Sequence, residues 1–109
     1  MKKVLFILVC CLLFGCSDKT ELHLYSWSDY ISPEVVAEFE KEHDCRVVID
    51  SFDSNESMYA KLKSGAGGYD IIVPSSYQIQ LLADEGIIEK LDHSKLPNIK
   101  ANFDSRFST

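Results

Sequence analysis

The spacing of apolar and polar positions divides the chain into one apolar run followed by a regular alternation of short periodic segments. Val4 to Phe14 is unbroken apolar sequence, and polar residues begin at Ser17. Leu22-His23-Leu24-Tyr25-Ser26 reads as a strand. Ser32-Pro33-Glu34 then marks a helix start, with Ser as N-cap, Pro at the first helical position and an acid in the first turn. Val35, Val36 and Phe39 fall on one face of this helix, which should end near His43-Asp44. Cys45 to Phe52, rich in Val and Ile, predicts a second strand. Asp53-Ser54-Asn55-Glu56 opens a second helix, and Asp53 with Glu56 three residues on resembles a capping box. Met58, Tyr59 and Leu62 form its apolar side, and Ser64 to Gly68 ends it in a flexible turn.

Asp70-Ile71-Ile72-Val73 is a short continuous apolar stretch, the pattern of a strand buried inside a parallel sheet. Pro74-Ser75-Ser76-Tyr77 leads into a helix from about Gln78 to Asp84, closed by Glu85-Gly86. Ile87 to Leu91 predicts a short strand or an extended segment, and from Asp92 onward the signals are turns. Strand alternating with helix three times implies an α/β fold with a parallel sheet and right-handed crossovers.

The apolar run changes how the chain divides. Eleven helical residues rise only about 16 Å, too little to cross a hydrocarbon core of about 30 Å. With Lys2 and Lys3 before it and a small residue after it, the run has the form of a secretory leader over residues 1–15. Leu13-Phe14-Gly15-Cys16 resembles the bacterial lipobox, in which the cysteine receives a lipid and becomes the mature N-terminus. The other readings are a short N-terminal anchor that is never cleaved and an ordinary leader with Cys16 a bystander. Residues 16–21 are then a tether, and residues 22–109 the folded part. Of the four cysteines, Cys10 and Cys11 lie in the leader and Cys16 at its end, which leaves Cys45 as a small buried thiol with no internal bridge.

Composition narrows the partners. A net charge of -6, more negative still without Lys2 and Lys3, disfavours nucleic acid and anionic membrane surfaces and suits a cationic ligand. Gly65-Ala66-Gly67-Gly68 lacks the lysine and preceding strand of a phosphate loop, and no G-x-S-x-G elbow is present. His23, His43 and His93 lack metal-ligand spacing, so neither a metal nor a cofactor is implied. No nucleophile is assembled with a base, so the chain does not read as an enzyme.

In parallel sheets ligands bind beyond the carboxyl ends of the strands. Two segments with suitable chemistry leave such ends. Trp27-Ser28-Asp29-Tyr30 offers aromatic faces, a hydroxyl and a carboxylate, a set suited to an alkyl ammonium. Equally, Trp27 can be core and Asp29 a surface acid. In Pro74-Ser75-Ser76-Tyr77, either serine can simply cap the following helix, and Tyr77 can be core.

Four blocks carry a family resemblance: Leu24 to Tyr30, Asp53 to Leu62, Tyr69 to Tyr77 and Leu91 to Asn98. In this order they resemble the spermidine/putrescine-binding proteins of ABC importers, over about Leu22 to Asn102. The resemblance implies a parallel-sheet lobe of a type II periplasmic binding protein working with an ABC permease, and with the lipobox it places the chain in the periplasmic space or on the outer face of the cell membrane, lipid-anchored. It implies that Trp27, Ser28, Asp29 and Tyr30 line a polyamine site, joined by Ser75 and Tyr77. Ser28-Asp29 resembles the putrescine-preferring members and Ser76-Tyr77 the spermidine-preferring ones. Family members are roughly three times as long and two-lobed, so the sequence reads as a partial or truncated N-terminal portion. Rival readings are a binder of another solute (sugar, thiamine or iron), a signalling or adhesion lipoprotein that keeps the fold, and a non-functional fragment.

Overall fold

The computed structural model describes residues 19–104 and 106. The expected leader, Cys16 with its expected lipid, and residues 17 and 18 of the expected tether lie outside these residues. The described chain separates into two compact units, one of residues up to Asp53 with Gly67–Val73, the other of Ser54–Ala66 with residues from Pro74 onward.

The first unit is built on a three-stranded parallel sheet. β1 is Thr20–Trp27, β2 is Cys45–Phe52 and β3 is Ile71–Ile72, in the order β2-β1-β3. β1 and β2 pair without interruption from Thr20 opposite Cys45 to Trp27 opposite Phe52. The strand thus begins two residues earlier than its apolar alternation shows, because Thr20 and Glu21 join the ladder through their backbones. β3 pairs through Ile71 and Ile72, and bonds from Asp70 N to His23 O (2.8 Å) and Val73 N to Tyr25 O (2.9 Å) extend the contact. Asp70 also accepts the His23 amide through Oδ2 at 2.8 Å. The expectation that Asp70–Val73 is buried between strands is corrected here: β3 is an edge of the described sheet, and Ile71 is exposed.

Side chains two apart on a strand share a face, so Tyr25 and Trp27 lie together, beside Phe52. Their rings interlock: Tyr25 meets Phe52 edge-on with centroids 4.9 Å apart, and Trp27 meets it at 4.7 Å. Tyr69 stacks on Tyr25 at 4.6 Å and donates its hydroxyl to Asp50 at 2.5 Å. Each ring pair adds about 0.5–1.5 kcal/mol beyond the area it buries. This cluster anchors the end of β1 from which the first candidate turn departs.

α1, Pro33–His43, joins β1 to β2. Its Pro fits the first turn, where the missing N–H has no helical partner anyway. Ser32 occupies the N-cap backbone position, but its hydroxyl turns to Glu34 in place of the helix amides. The helix stops where Asp44 adopts a left-handed conformation, φ 46°, which Asp tolerates better than most residues. Glu40 Oε1 accepts the Val47 amide at 2.7 Å, filling a donor on the edge strand β2. On the apolar face of α1, Val35 and Phe39 are exposed, and the Phe39 ring lies 4.3 Å from that of His43. The expectation of a buried Cys45 is corrected: it is half-buried, on an edge strand.

In the second unit, α2 is Asn55–Lys63 and α3 is Ser76–Asp84, followed by a 3-10 turn, His93–Lys95, and the short helix α4, Pro97–Asn102. Met58 of α2 and Leu82 of α3 are fully buried. Tyr59 Oη (2.8 Å) and Lys63 Nζ (2.6 Å) both reach the Glu85 carboxylate. The Lys63 ammonium, with the Tyr59 hydroxyl second, holds the Glu85 carboxyl below its usual range. Beyond α3 the amides of Gly86 and Ile87 bond back to Ala83 O and Leu82 O, with Gly86 at φ 68°. This nested pair closes the helix, and the left-handed residue it needs is the glycine. Ile87 to Leu91 forms no strand. α4 corrects the expectation of turns alone after Asp92: Pro97 sits in the first turn of a helix and does not end one.

The cap of α2 also differs from expectation. Ser54, not Asp53, is the N-cap, and its Oγ accepts the Ser57 amide at 3.1 Å. Asp53 is engaged elsewhere, as described next.

Candidate functional site

β1 lies between β2 and β3, so the order of strands reverses around its carboxyl end, where open parallel sheets bind ligands. Trp27 is the last residue of β1, and the chain turns immediately: Tyr30 N bonds Trp27 O at 3.4 Å. The turn needs a left-handed residue, and Asp29 supplies it at φ 58°. Trp27 is half-buried, resting on Phe52, and its other neighbour is Tyr30, with ring centroids 6.4 Å apart. Tyr30 is 72% exposed and Asp29 is exposed, so both are open to solvent.

Ser28 is fixed twice. Its amide bonds Phe52 O at 3.3 Å, and its hydroxyl donates to Asp53 Oδ1 at 2.9 Å. With the proton committed to a carboxylate, both lone pairs of Ser28 Oγ remain as acceptors. The turn therefore presents an acceptor oxygen, a carboxylate and two aromatic rings. All four sequence-expected residues of this segment belong to one turn of the first unit. The reading of Trp27 as core holds for one edge of its ring only.

Ser75 and Tyr77 belong to the second unit. Ser75 takes the N-cap position of α3, yet its side chain makes no capping bond. A buried amide of α2 has claimed it: Asn55, 3% exposed, donates through Nδ2 to Ser75 Oγ (3.0 Å) and to Tyr77 Oη (2.7 Å), and its Oδ1 accepts the Ser75 amide (3.1 Å). Tyr77 is 67% exposed and so is not core. Ser76, the alternative cap, is exposed within the first turn of α3.

Asp53 and Asn55 are the residues that sequence reasoning missed. The signal was an excess. Asp-Ser-Asn places three capping-type residues at one strand-to-helix junction, where a single cap suffices. The two that do not cap bind the candidate loops. Among the described residues no three His, Cys, Asp or Glu side chains gather as metal ligands.

The parallel sheet and its strand order fit an incomplete lobe of the periplasmic binding-protein fold, and comparison with known proteins agrees. The chain belongs to the family described as hypothetical lipoprotein (MG045 family), whose model matches residues 1–107. It is similar to the putrescine-binding periplasmic protein SpuD of Pseudomonas aeruginosa, 48% identical over 84 residues, which cover 77% of this chain and 23% of that protein. Among solved structures it resembles a protein assigned to spermidine/putrescine ABC transport in Listeria monocytogenes (TM-score 0.75, 44% identity, 81% of this chain and 27% of that one). It also resembles the TpPotD lipoprotein of Treponema pallidum (TM-score 0.68, 40% identity, 73% and 25%). The chain thus spans about a quarter of the length of these proteins.

Proposed function

We propose that this chain supplies polyamine-binding surface to the substrate-binding component of an ABC importer. It works outside the cytoplasmic membrane, held there by lipid on Cys16 after loss of a leader over residues 1–15, and passes its ligand to a membrane permease. Trp27, Ser28, Asp29, Tyr30, Ser75 and Tyr77 are the residues assigned to the ligand. The protein binds and releases and does not alter the polyamine, so it is not an enzyme.

The observation that carries this reading is the turn after β1. Asp29 offers an ammonium a charge-assisted hydrogen bond, worth roughly 1.5–3 kcal/mol. Ser28 Oγ, its own proton given to Asp53, can accept a further N–H. Trp27 and Tyr30 cover methylenes and attract the cation, at about 0.5–2 kcal/mol per contact. A sugar would use these rings but has no need of the carboxylate charge.

Isothermal titration with putrescine and with spermidine tests the reading on the protein as expressed from its own gene. Saturable heat with at least one is expected. Heat with neither, or with a neutral sugar alone, sinks it. The anchor is tested separately: Cys16→Ser is expected to abolish incorporation of labelled fatty acid and release the protein from membranes. Unchanged labelling would remove the lipid from the account.

A further inference from the structure

We propose that Asn55 is a positioning residue for ligand capture, setting both the place and the hydrogen-bonding direction of the Ser75 and Tyr77 hydroxyls. The inference rests on the polyamine reading above and adds to it a residue that does not itself touch ligand.

The direction follows from one backbone amide. The Ser75 N–H can only donate, so the Asn55 atom facing it at 3.1 Å is Oδ1. That orients Nδ2 toward Ser75 Oγ at 3.0 Å and Tyr77 Oη at 2.7 Å. Nδ2 carries protons and no available lone pair, so both hydroxyl oxygens accept from it. Each oxygen has two lone pairs, and one is now used. An ammonium brings only N–H donors, so each hydroxyl takes a single N–H from a ligand and keeps its own proton for a further acceptor.

Position follows from burial and anchorage. Asn55 opens α2, immediately after the Ser54 cap, on a rigid element. Its side chain is buried with both amide ends satisfied, an arrangement whose loss leaves unpaired polar atoms behind. Tyr77, by contrast, is mostly exposed, and Asn55 is the hydrogen-bond partner that holds its hydroxyl. Without that bond the ring and its hydroxyl are free to rotate.

The test is a double-mutant cycle on putrescine and spermidine affinity, using Asn55→Ala, Tyr77→Phe and the pair. Each single change is expected to weaken binding about fivefold, and the pair is expected to be no weaker than Asn55→Ala alone. Losses that multiply in the double variant would show that Asn55 acts on stability alone, and unchanged affinity in Asn55→Ala would equally overturn the proposal. Should Asn55→Ala fail to fold, the exposed change Tyr77→Phe decides the matter through the Asn55 side-chain NH2 resonance. That signal is expected to shift, and an unmoved signal overturns the proposed hold on Tyr77. If the unaltered protein binds neither polyamine, the functional reading falls and the ligand role of Asn55 with it, whatever the resonance does.

Discussion

Ser28 and Ser75 are the same residue type, each just past the end of a strand, yet their partners make them opposites. Ser28 gives its proton to the Asp53 carboxylate and keeps two acceptor lone pairs. Ser75 Oγ accepts a hydrogen bond from the Asn55 amide and keeps one lone pair and its own proton. The first turn is also acidic, through Asp29, and bends at a left-handed residue, whereas the second is neutral and pinned by a buried side chain. What a hydroxyl offers a ligand is thus decided one shell further out. Those partners stand two residues apart in sequence, either side of the Ser54 cap.

The largest expected effect tests the acidic side of this contrast. Asp29→Asn removes the charge and keeps the backbone, because Asn tolerates the left-handed region as well as Asp does. Polyamine affinity is expected to fall by about tenfold or more, read by titration calorimetry. Intact affinity would mean that the carboxylate is misassigned and that the two turns differ less than described. A smaller effect is expected from Asp53→Ala, which frees the Ser28 hydroxyl without touching Asp29. About a threefold loss is expected in the same measurement. A loss as large as that of Asp29→Asn would mean Asp53 meets the ammonium itself.

The smallest effect concerns stability. The Lys63 ammonium, then the Tyr59 hydroxyl, lowers the Glu85 pKa from its usual 4.5. A lowered carboxyl pKa stabilises the fold above pH 4.5, and that contribution disappears as pH falls through the depressed value. The partners are partly solvent-exposed, so the effect is screened and small. Thermal melts across this acid range should therefore show a slightly flatter decline in Glu85→Gln than in the unaltered protein. Polyamine affinity should not change, since Glu85 supports neither Ser28 nor Ser75. A measurable loss of affinity would break the division of labour drawn above.

Much of the local structure was legible because local forces set it. Pro33 at the first turn of α1 and the Val- and Ile-rich run of β2 need no distant partner to declare themselves. The glycine that closes α3 is equally self-evident, since the nested bonds around Gly86 demand a left-handed residue. The misreadings at the β2–α2 junction share one cause, which is competition from afar. Asp53 and Ser54 are both good caps, and the choice between them was made by Ser28, 25 residues away from Asp53. Asn55 looked like an ordinary helix-opening residue because its partners lie 20 and 22 residues downstream. Pro97 was read as part of a turn because Pro serves turns and helix starts alike, and a six-residue helix carries too little periodicity to tell.

Trp27 is the sole tryptophan of the sequence. Its indole is seated against Phe52 on one side and near the exposed Tyr30 on the other. Its fluorescence therefore comes from a single known place, the turn where the ammonium is expected. A cation arriving over the ring, or water leaving it, alters emission wavelength and yield directly. The molecule has a built-in optical probe, so ligand arrival can be timed by stopped-flow mixing without attaching a dye.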